Sequence, residues 1–511
     1  MLNKSLFGAG AANVRNAEGG RAVALAPREA LAQIAVTGCL SDVFYADARS
    51  QLDELLARCG EVDPAFVAKA ALYARQHGRM KDTPVLMLAW LAVHAPVLAE
   101  AIFGRVVDNA SQLRSFVQAL RSGAVGKRSL ASRPKRWVQA WLESASDEAL
   151  VRGLVGNAPS LGDVIKLAHP RAASQERSAL YAHAIGRGAN AELLPESLRA
   201  LARFRADPTQ PLPDVPFQLL TSAPLTTAHW IAVAQRASWT TTRMNLNTFA
   251  RHGVFEDAAT TALVAQRLRD PDAIRRARAF PYQLLAAWQA AVNVPAAIRD
   301  ALRAATDVAA GNVPRFDGAV AVAVDVSGSM SSPVTGHRRG ATTAMRCVDV
   351  AGLVAACVLA RNRSALVLPF AEAVRPWSVP HSGGVLETAQ ALAKLLGGGT
   401  AISAPLLRLN QLGMAPDLTL VVSDNQSWAE DQWHGSRTAS AQAWETIRRR
   451  NPKARLVCLD LQPYSNTQVA DRESVLNVGG FSDAVFEVIA GFVRHGQGSG
   501  HWAREIERMT L

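Results

Sequence analysis

Two spacings of apolar residues divide the chain. From about residue 26 to 310, apolar side chains recur every three to four positions and Gly, Pro or Asp interrupts them, a pattern that predicts many short helices. The predicted helices span 28–37, 49–59, 64–77, 84–93, 96–107, 111–121, 134–143, 147–154, 161–168, 174–185, 195–204, 226–237, 241–251, 256–268, 272–278, 281–291 and 295–308. No crisp period repeats, so degenerate HEAT-like helix pairs are favoured over ankyrin or tetratricopeptide units. The four prolines in 205–217 predict a non-helical excursion.

A different pattern follows the linker 311–318. Short β-branched runs alternate with helical stretches, which predicts a mostly parallel, doubly wound α/β domain. The predicted strands are 319–325, 364–370, 373–379, 417–423 and 454–461, and the predicted helices are 341–361, 385–396, 401–412, 438–450 and 482–494. The sequence therefore predicts a multidomain protein: residues 1–25 as a flexible or strand-like arm, 26–314 as an all-α repeat domain and 315–511 as the α/β domain.

Oxygen-bearing side chains follow the first predicted strand. Asp325, Ser327 and Ser329 stand at i, i+2 and i+4 after an unbroken apolar run. Ligands bind at the carboxyl ends of strands in open α/β sheets, and oxygen donors suit a hard cation such as Mg²⁺. The alternative is that these residues only cap a helix, as Ser and Asp often do.

Two further residues support the metal site over the cap. Thr400 ends the Gly-rich turn 397–400, and Asp424 directly follows the predicted strand 417–423. In a doubly wound domain this order brings all five residues to one edge of the sheet. We therefore predict a divalent-cation site, with Mg²⁺ as the expected ion.

The charge of the chain is uneven. Of 511 residues, 55 are Lys or Arg and 43 are Asp or Glu, a formal net charge of +12. Residues 1–314 hold 36 basic and 26 acidic residues, whereas 315–511 hold 19 and 17. A basic N-terminal part suggests a polyanionic partner, although solvated Arg-rich helix faces would give the same excess.

Two basic groups are candidate contacts for a polyanion. The denser one is Lys127, Arg128, Arg133, Lys135 and Arg136, next to Trp137. Its alternative interpretation is a solvated loop beside a core tryptophan. The second group is Lys166, His169 and Arg171, where Lys166 and His169 share a helix face and Pro170 ends the helix. A histidine there can also be a simple cap or dipole partner.

Several segments resemble a known family. Asp325-x-Ser327-x-Ser329 with Thr400 and Asp424 resembles the metal-ion-dependent adhesion site of a von Willebrand factor A domain, with Ala401 where many relatives have Asp. The helical part resembles the TROVE module. The matching segments are Val67-Ala-Lys-Ala-Ala-Leu-Tyr-Ala-Arg75 with Arg79-Met-Lys-Asp-Thr-Pro84, Asp163-Val-Ile-Lys-Leu-Ala-His-Pro170, Trp239-Thr-Thr-Thr-Arg-Met-Asn-Leu-Asn-Thr-Phe-Ala-Arg251 and Ala279-Phe-Pro-Tyr-Gln-Leu-Leu285. The order of the two modules, over roughly 25–510, resembles the Ro autoantigen family and especially its bacterial members.

The resemblance implies more than the residues themselves do. It implies a ring of HEAT-like repeats closed by the A domain, small non-coding Y RNA on a basic outer surface, and single-stranded 3′ ends of misfolded RNA in a central hole. In that family the serines and threonine can ligate the metal and the aspartates often act through water. The K-x-x-H-P of Lys166 and His169 resembles a family helix that borders the hole and contacts RNA, so both basic groups, with Arg171, become candidate RNA contacts. It also implies a role in RNA quality control with an exoribonuclease such as polynucleotide phosphorylase, and a monomeric protein.

Catalysis is not predicted. The sequence has no G-x-S-x-G elbow, no H-E-x-x-H and no P-loop, and Asp325 with Asp424 offers too few acids for a two-metal nuclease. Five scattered cysteines, no signal peptide and no apolar run of membrane-spanning length favour the cytoplasm. Non-enzymatic RNA binding is the first hypothesis. The second is a scaffold whose metal site grips a partner's carboxylate, and a metal-dependent nuclease is the weakest.

Overall fold

The structure described is a computed structural model. It describes residues 14–15, 21–24, 26–37, 48–78, 80–277, 279–334, 345–380, 383–424, 439–462, 466–467, 474–479, 485–495 and 501–511. Most of the predicted arm, Arg79, Arg278 and the first turn of the predicted helix 341–361 lie outside these ranges.

The described residues form two compact units. The first, which we call the sheet-bearing unit, comprises those up to Arg58, Ser238–Asn247 and Thr261–Arg508. The second, the helical unit, comprises Cys59–Ala237, Thr248–Thr260 and Met509–Leu511. The division at residue 314 stays a prediction.

The described residues between 26 and 310 are mainly helical, as predicted. The helices are α1 Pro27–Thr37, α2 Ala48–Glu61, α3 Pro64–Gln76, α4 Thr83–His94, α5 Pro96–Val106, α6 Ala110–Arg121, α7 Ser132–Ser144, α8 Asp147–Gly153, α9 Leu161–Ala168, α10 Gln175–Ala184, α11 Glu196–Ala206, α12 Phe217–Leu220, α13 Thr227–Arg236, α14 Trp239–Met244, α15 Leu246–Arg251, α16 Ala258–Arg269, α17 Pro271–Arg276, α18 Pro281–Ala290 and α19 Ala296–Ala310.

Local capping explains many of these boundaries. Asp63 accepts a hydrogen bond from the amide of Phe66, and Pro64 fills the first helical position of α3. Asn109 caps α6 through the amide of Gln112 in the same way. The helices then bury their apolar stripes on their neighbours, as where Phe103 of α5 meets Phe116 of α6 edge to face.

One predicted helix is divided in two. The stretch 241–251 breaks at Asn245, whose side-chain amide donates to the Thr241 carbonyl at 2.8 Å. A side chain that donates to a helical carbonyl competes with the backbone amide that would otherwise bond there. Helix α14 therefore ends at this point and α15 begins after it. The Pro-rich excursion is confirmed, because no helix occupies 207–216.

The C-terminal part is α/β, as predicted. Its elements are β3 Val320–Asp325, α20 Cys347–Arg361, β4 Leu366–Phe370, α21 Val385–Ala393, α22 Ser403–Gln411, β5 Leu418–Ser423, α23 Ala439–Arg450, β6 Arg455–Asp460, β8 Val475–Gly479, α24 Val485–His495 and α25 His501–Glu507. Three short strands, β1 Val14–Arg15, β2 Arg21–Ala24 and β7 Asn466–Thr467, pair antiparallel in a separate small sheet.

Within the described residues, five strands form one parallel sheet in the order β4-β3-β5-β6-β8. The chain passes from β3 to β4 on one side and then crosses to β5 on the other, so the strand order reverses at β3 and β5. One face packs under α22 and α23, where Trp444 and Leu406 meet Ala321 and Ala323. Helix α20 covers the other face, and all six residues of β3 are buried.

Three sequence predictions for this domain were wrong. The stretch 373–379 is not a strand, because Pro376 and Pro380 lack the donors that a ladder needs; only a single bridge joins Phe370 and Val374. Strand β8 was missed because it is a five-residue edge strand that contains Asn477. Helix 482–494 is not the last, because α25 follows it. Among the described residues, no helix is both long and apolar enough to cross a membrane.

Candidate functional site

The centre of the candidate metal site is Asp325, the last residue of β3. Its side chain is fully buried. One carboxylate oxygen accepts a hydrogen bond from the Ser327 amide at 2.8 Å, and the other accepts one from the Ser423 hydroxyl at 2.6 Å. Burial raises the pKa of Asp325, and the hydrogen bonds from Ser327 and Ser423 work against that rise.

The two serines lie together on the loop that follows. The hydroxyl oxygens of Ser327 and Ser329 are 3.3 Å apart, with Ser327 buried and Ser329 half-buried. This loop is held against the Gly-rich turn, since the Gly328 amide donates to the Gly398 carbonyl at 2.9 Å. The Gly397 amide in turn donates to the Val326 carbonyl at 2.7 Å.

Thr400 and Asp424 come to the same edge of the sheet. Thr400 is buried at the end of the turn that bonds to the serine loop. Asp424 is buried directly after β5, the parallel neighbour of β3. The strand order reverses between β3 and β5, which is where open α/β sheets form their ligand crevice.

The residues present fit a divalent cation. Hydroxyl and carboxylate oxygens make up the predicted donor set, which matches the preference of Mg²⁺. Asp325 forms no ion pair with any Lys or Arg of the described residues; its carboxylate meets only neutral donors. A buried carboxylate of this kind is ordinarily balanced by a paired charge or a metal.

Sequence reasoning missed the residues that hold these loops. The guanidinium of Arg375 donates to the carbonyls of Leu395 and Gly397, so it fixes the start of the Gly-rich turn. Glu372 accepts a hydrogen bond from the Gly399 amide at 3.2 Å. Both follow β4, and Arg375 lies in the stretch 373–379 where a strand was predicted. Ser423 was passed over because a serine at the end of a buried strand carries no signal of its own.

The first basic group lies on the helical unit, at the start of α7 and the loop before it. Lys127, Arg128, Arg133 and Arg136 are exposed and Lys135 is half-buried. The neighbouring Trp137 is in the core, with 7% of its surface exposed, and its ring centroid lies 5.7 Å from that of Phe103. The cations are therefore accessible, whereas the indole is unavailable for stacking on a base.

The second basic group lies at the end of α9. Lys166, His169 and Arg171 are all exposed. His169 ends the helix in a left-handed conformation, with φ of 55°. The start of α9 is fixed by a capping box, in which Ser160 and Asp163 exchange hydrogen bonds. These bonds lower the pKa of Asp163.

The two basic groups are neighbours. The Gln139 side chain of α7 donates to the Ala168 carbonyl at 2.7 Å, and Glu143 accepts from the Arg171 amide at 2.7 Å. Arg136 precedes Gln139 by three residues, or about 4.5 Å along a helix. The cations of α7 and of α9 thus border one surface of the helical unit.

The residues of the TROVE-like segment Trp239–Arg251 serve structural roles. Arg243 donates to the Gln283 carbonyl at 3.0 Å, and Asn247 donates to the Ala290 carbonyl at 2.9 Å. Trp239 is buried and its ring nitrogen donates to the Leu268 carbonyl. These contacts join helices rather than face a ligand.

A helical module followed by a doubly wound parallel sheet defines a protein that combines helical repeats with a von Willebrand A domain. Comparison with known families agrees. Residues 230–346 match the TROVE domain, and residues 319–493 match the Ro60 vWA domain. The resemblance to the Ro family, drawn above from short motifs, is confirmed by both matches.

Relatives match over nearly the whole chain. The RNA-binding protein RO60 of Deinococcus radiodurans is 26% identical over 530 aligned residues, which cover 94% of this chain and 95% of that protein. The crystal structure of the Deinococcus radiodurans Ro (RSR) protein superposes with a TM-score of 0.63 at 21% identity, covering 92% of this chain and all of the other. The second match supports the fold.

Proposed function

We propose that this protein is a non-catalytic RNA-binding protein of the Ro type. The observation that carries the proposal is the shared surface of α7 and α9, where exposed Arg136, Lys166 and Arg171 lie on adjoining segments, with exposed Lys127 and Arg128 on the loop that leads into α7. The name of the Deinococcus relative, an RNA-binding protein, supports the same conclusion.

The surface is suited to phosphates. Lys and Arg neutralise backbone phosphates, and the release of counterions makes such binding steeply dependent on salt. Trp137 is buried, so base stacking on it is not part of the proposal. His169 adds a ring beside Lys166 and Arg171 that can donate to phosphate or stack on an unpaired base.

The family resemblance suggests which RNA molecules are bound. We propose small non-coding Y-like RNA and single-stranded 3′ ends of misfolded RNA as the bound classes. An exoribonuclease such as polynucleotide phosphorylase would act on the captured RNA, in the cytoplasm, with the protein as a monomer. A divalent cation, Mg²⁺ in the first instance, would be held by Ser327, Ser329 and Thr400, with Asp325 and Asp424 supplying negative charge. When bound, it would supply a positive centre for a carboxylate.

Binding to a structured RNA with a single-stranded 3′ tail, titrated across salt, tests the proposal. The first variant carries Lys127→Gln, Arg128→Gln, Lys135→Gln and Arg136→Gln, and the second carries Lys166→Gln, His169→Gln and Arg171→Gln. We expect at least tenfold weaker binding in the first, with the slope of log affinity against log salt shallower by about 0.7 per lost contact.

A matched control removes four cations elsewhere on the helical unit, at Arg152, Arg187, Arg199 and Arg203. Three of these are exposed and Arg199 is half-buried. Its affinity should stay within about twofold of wild type. Equal losses in all three variants would show a non-specific charge effect, and unchanged binding in the first two would refute the proposed surface.

The alternative is a protein-interaction scaffold. It is favoured by the rim of the metal site, where Gly328 is exposed and Ser329 half-buried, so a partner's carboxylate could reach the ion. This alternative predicts that purified polynucleotide phosphorylase binds without RNA, that Mg²⁺ is required and that Asp325→Asn abolishes the interaction. Binding that needs RNA and ignores Asp325→Asn would exclude it.

A further inference from the structure

A polar cavity of about 440 Å³ lies at the amino ends of strands β3 and β4. The candidate metal site lies at the opposite, carboxyl ends of the strands. The cavity is formed where the segment before β3 meets the turn between α20 and β4. Its lining includes Arg315, Phe316, Asp317, Arg361, Asn362 and Arg363. Strand β3 runs from the cavity to Asp325, and six residues of strand span about 20 Å, so the two sites are separate.

The walls of the cavity are fixed. The Asn362 side chain accepts from the Phe316 amide at 3.2 Å and donates to the Phe316 carbonyl at 2.6 Å. Arg361 donates through Nε to the Val313 carbonyl at 2.9 Å. Phe316 and Asn362 are both buried. A ligand would therefore meet a preformed surface and not two loose loops.

The charge of the cavity is unbalanced. Three guanidinium groups line it against one carboxylate, that of Asp317. Arg315 and Arg363 are exposed, and neither forms an ion pair or hydrogen bond within the described part of the chain. Positive residues near the end of α20 complement its dipole, which accounts for Arg361 and Arg363. That explanation does not reach Arg315, which comes from a different segment and lines the same cavity.

We propose that this cavity binds the phosphate groups of a nucleotide. Arginine forks match phosphate oxygens in pairs, and three of them would neutralise two phosphate groups. The volume lies in the range of small-molecule sites and is larger than a lone phosphate needs. Asp317 would repel phosphate but can accept hydrogen bonds from sugar hydroxyls, which favours a nucleotide over inorganic phosphate. The nucleotide could be free or could be the 5′-phosphorylated end of an RNA strand.

Isothermal titration of the full chain with ADP tests the proposal without RNA. EDTA in the buffer keeps the adhesion-type site out of the measurement. We expect Arg315→Gln with Arg363→Gln to weaken ADP binding at least tenfold. The control, Arg408→Gln with Arg449→Gln, removes two exposed cations from helices of the same unit and should change the affinity less than twofold. Thermal melts should show that both proteins fold, because all four side chains are exposed.

A second arm identifies the source of the phosphate. Short RNA with a 5′-phosphate is compared with the same RNA bearing a 5′-hydroxyl, in the variant that lacks the four cations of α7 and its preceding loop. Tighter binding of the phosphorylated strand, lost in the Arg315/Arg363 variant, would assign the cavity to RNA ends. Binding of ADP alone would assign it to free nucleotides. Absence of binding in both arms, or binding that the double variant leaves unchanged, would overturn the proposal.

Discussion

The hydroxyl of Ser423 donates to the carboxylate of Asp325 across 2.6 Å, and so joins the ends of two neighbouring strands. Both groups are buried, so neither can exchange this bond for water. The bond fixes one carboxylate oxygen of Asp325, while the Ser327 amide fixes the other. The orientation of the central acid is therefore set by the protein before any ion binds.

We expect Ser423→Ala to lower the free energy of unfolding by about 1–3 kcal/mol, because it leaves a buried carboxylate oxygen without its donor. Urea denaturation followed by circular dichroism would measure the loss. Thr419→Val is the matched control, since Thr419 is buried on the same strand and its hydroxyl has no hydrogen-bond partner among the described residues. That variant should be neutral or more stable than wild type, and a loss equal to that of Ser423→Ala would contradict the assigned role.

Magnesium should stabilise the protein against unfolding. An ion that binds the folded state alone adds about 2.7 kcal/mol when present at a hundred times its dissociation constant. The rise in Tm with MgCl₂ should disappear in Ser327→Ala and shrink in Arg375→Gln, which frees the Gly-rich turn ahead of Thr400. A magnesium response that survives Ser327→Ala would place the ion elsewhere.

We expect His169→Gly to stabilise the fold and to weaken RNA binding. The left-handed conformation of His169 costs about 1 kcal/mol in residues other than glycine, so His169→Gly should stabilise the end of α9 by about that amount. If His169 contacts RNA as proposed, the same change weakens binding to the tailed RNA. Opposite signs in a urea titration and an RNA titration would separate the two roles, whereas unaltered RNA binding would assign His169 to the cap alone.

Gly156→Ala should destabilise the loop before α9. Gly156 has φ of 111°, and a Cβ there would lie 2.1 Å from a guanidinium nitrogen of Arg114. Gly126→Ala gives the matched comparison, because φ is 84° and a Cβ there meets nothing within 4 Å. We expect Gly126→Ala to lower the free energy of unfolding by about 1 kcal/mol, the cost of the backbone conformation, and Gly156→Ala to lower it by more. Equal losses in denaturation would show that Arg114 simply moves aside.

Much of the fold was readable from periodicity. Helix α9 was predicted at its observed residues, because apolar residues recur there at helical spacing and Pro170 ends the helix. The break at Asn245 was not predicted, because it depends on the hydrogen bond that the Asn245 side chain donates to the Thr241 carbonyl. Strand β8 depends on pairing with β6, a contact between distant segments that no local pattern reveals.

The candidate site was predictable in part for a similar reason. The five predicted ligands lie at or just after the end of a strand or a Gly-rich turn, a position that the sequence pattern makes visible. They are Asp325, Ser327, Ser329, Thr400 and Asp424. Ser423, Glu372 and Arg375 act through backbone groups and a buried carboxylate that they meet only after folding. Their side chains have no sequence signature, since any hydroxyl, acid or arginine in those places would look ordinary.

The pair of hydrogen bonds between Asn362 and Phe316 has a mechanical consequence. Asn362 offers Phe316 the same donor and acceptor as a neighbouring strand would, so the connection from α19 to β3 is anchored before it reaches the sheet. Ala319 is anchored again through Asp417. Tension applied to α19 would thus load two parallel bonds at Phe316 and not the first strand of the sheet. The connection is therefore held at Phe316 and again at Ala319, on both sides of Asp317 and Gly318.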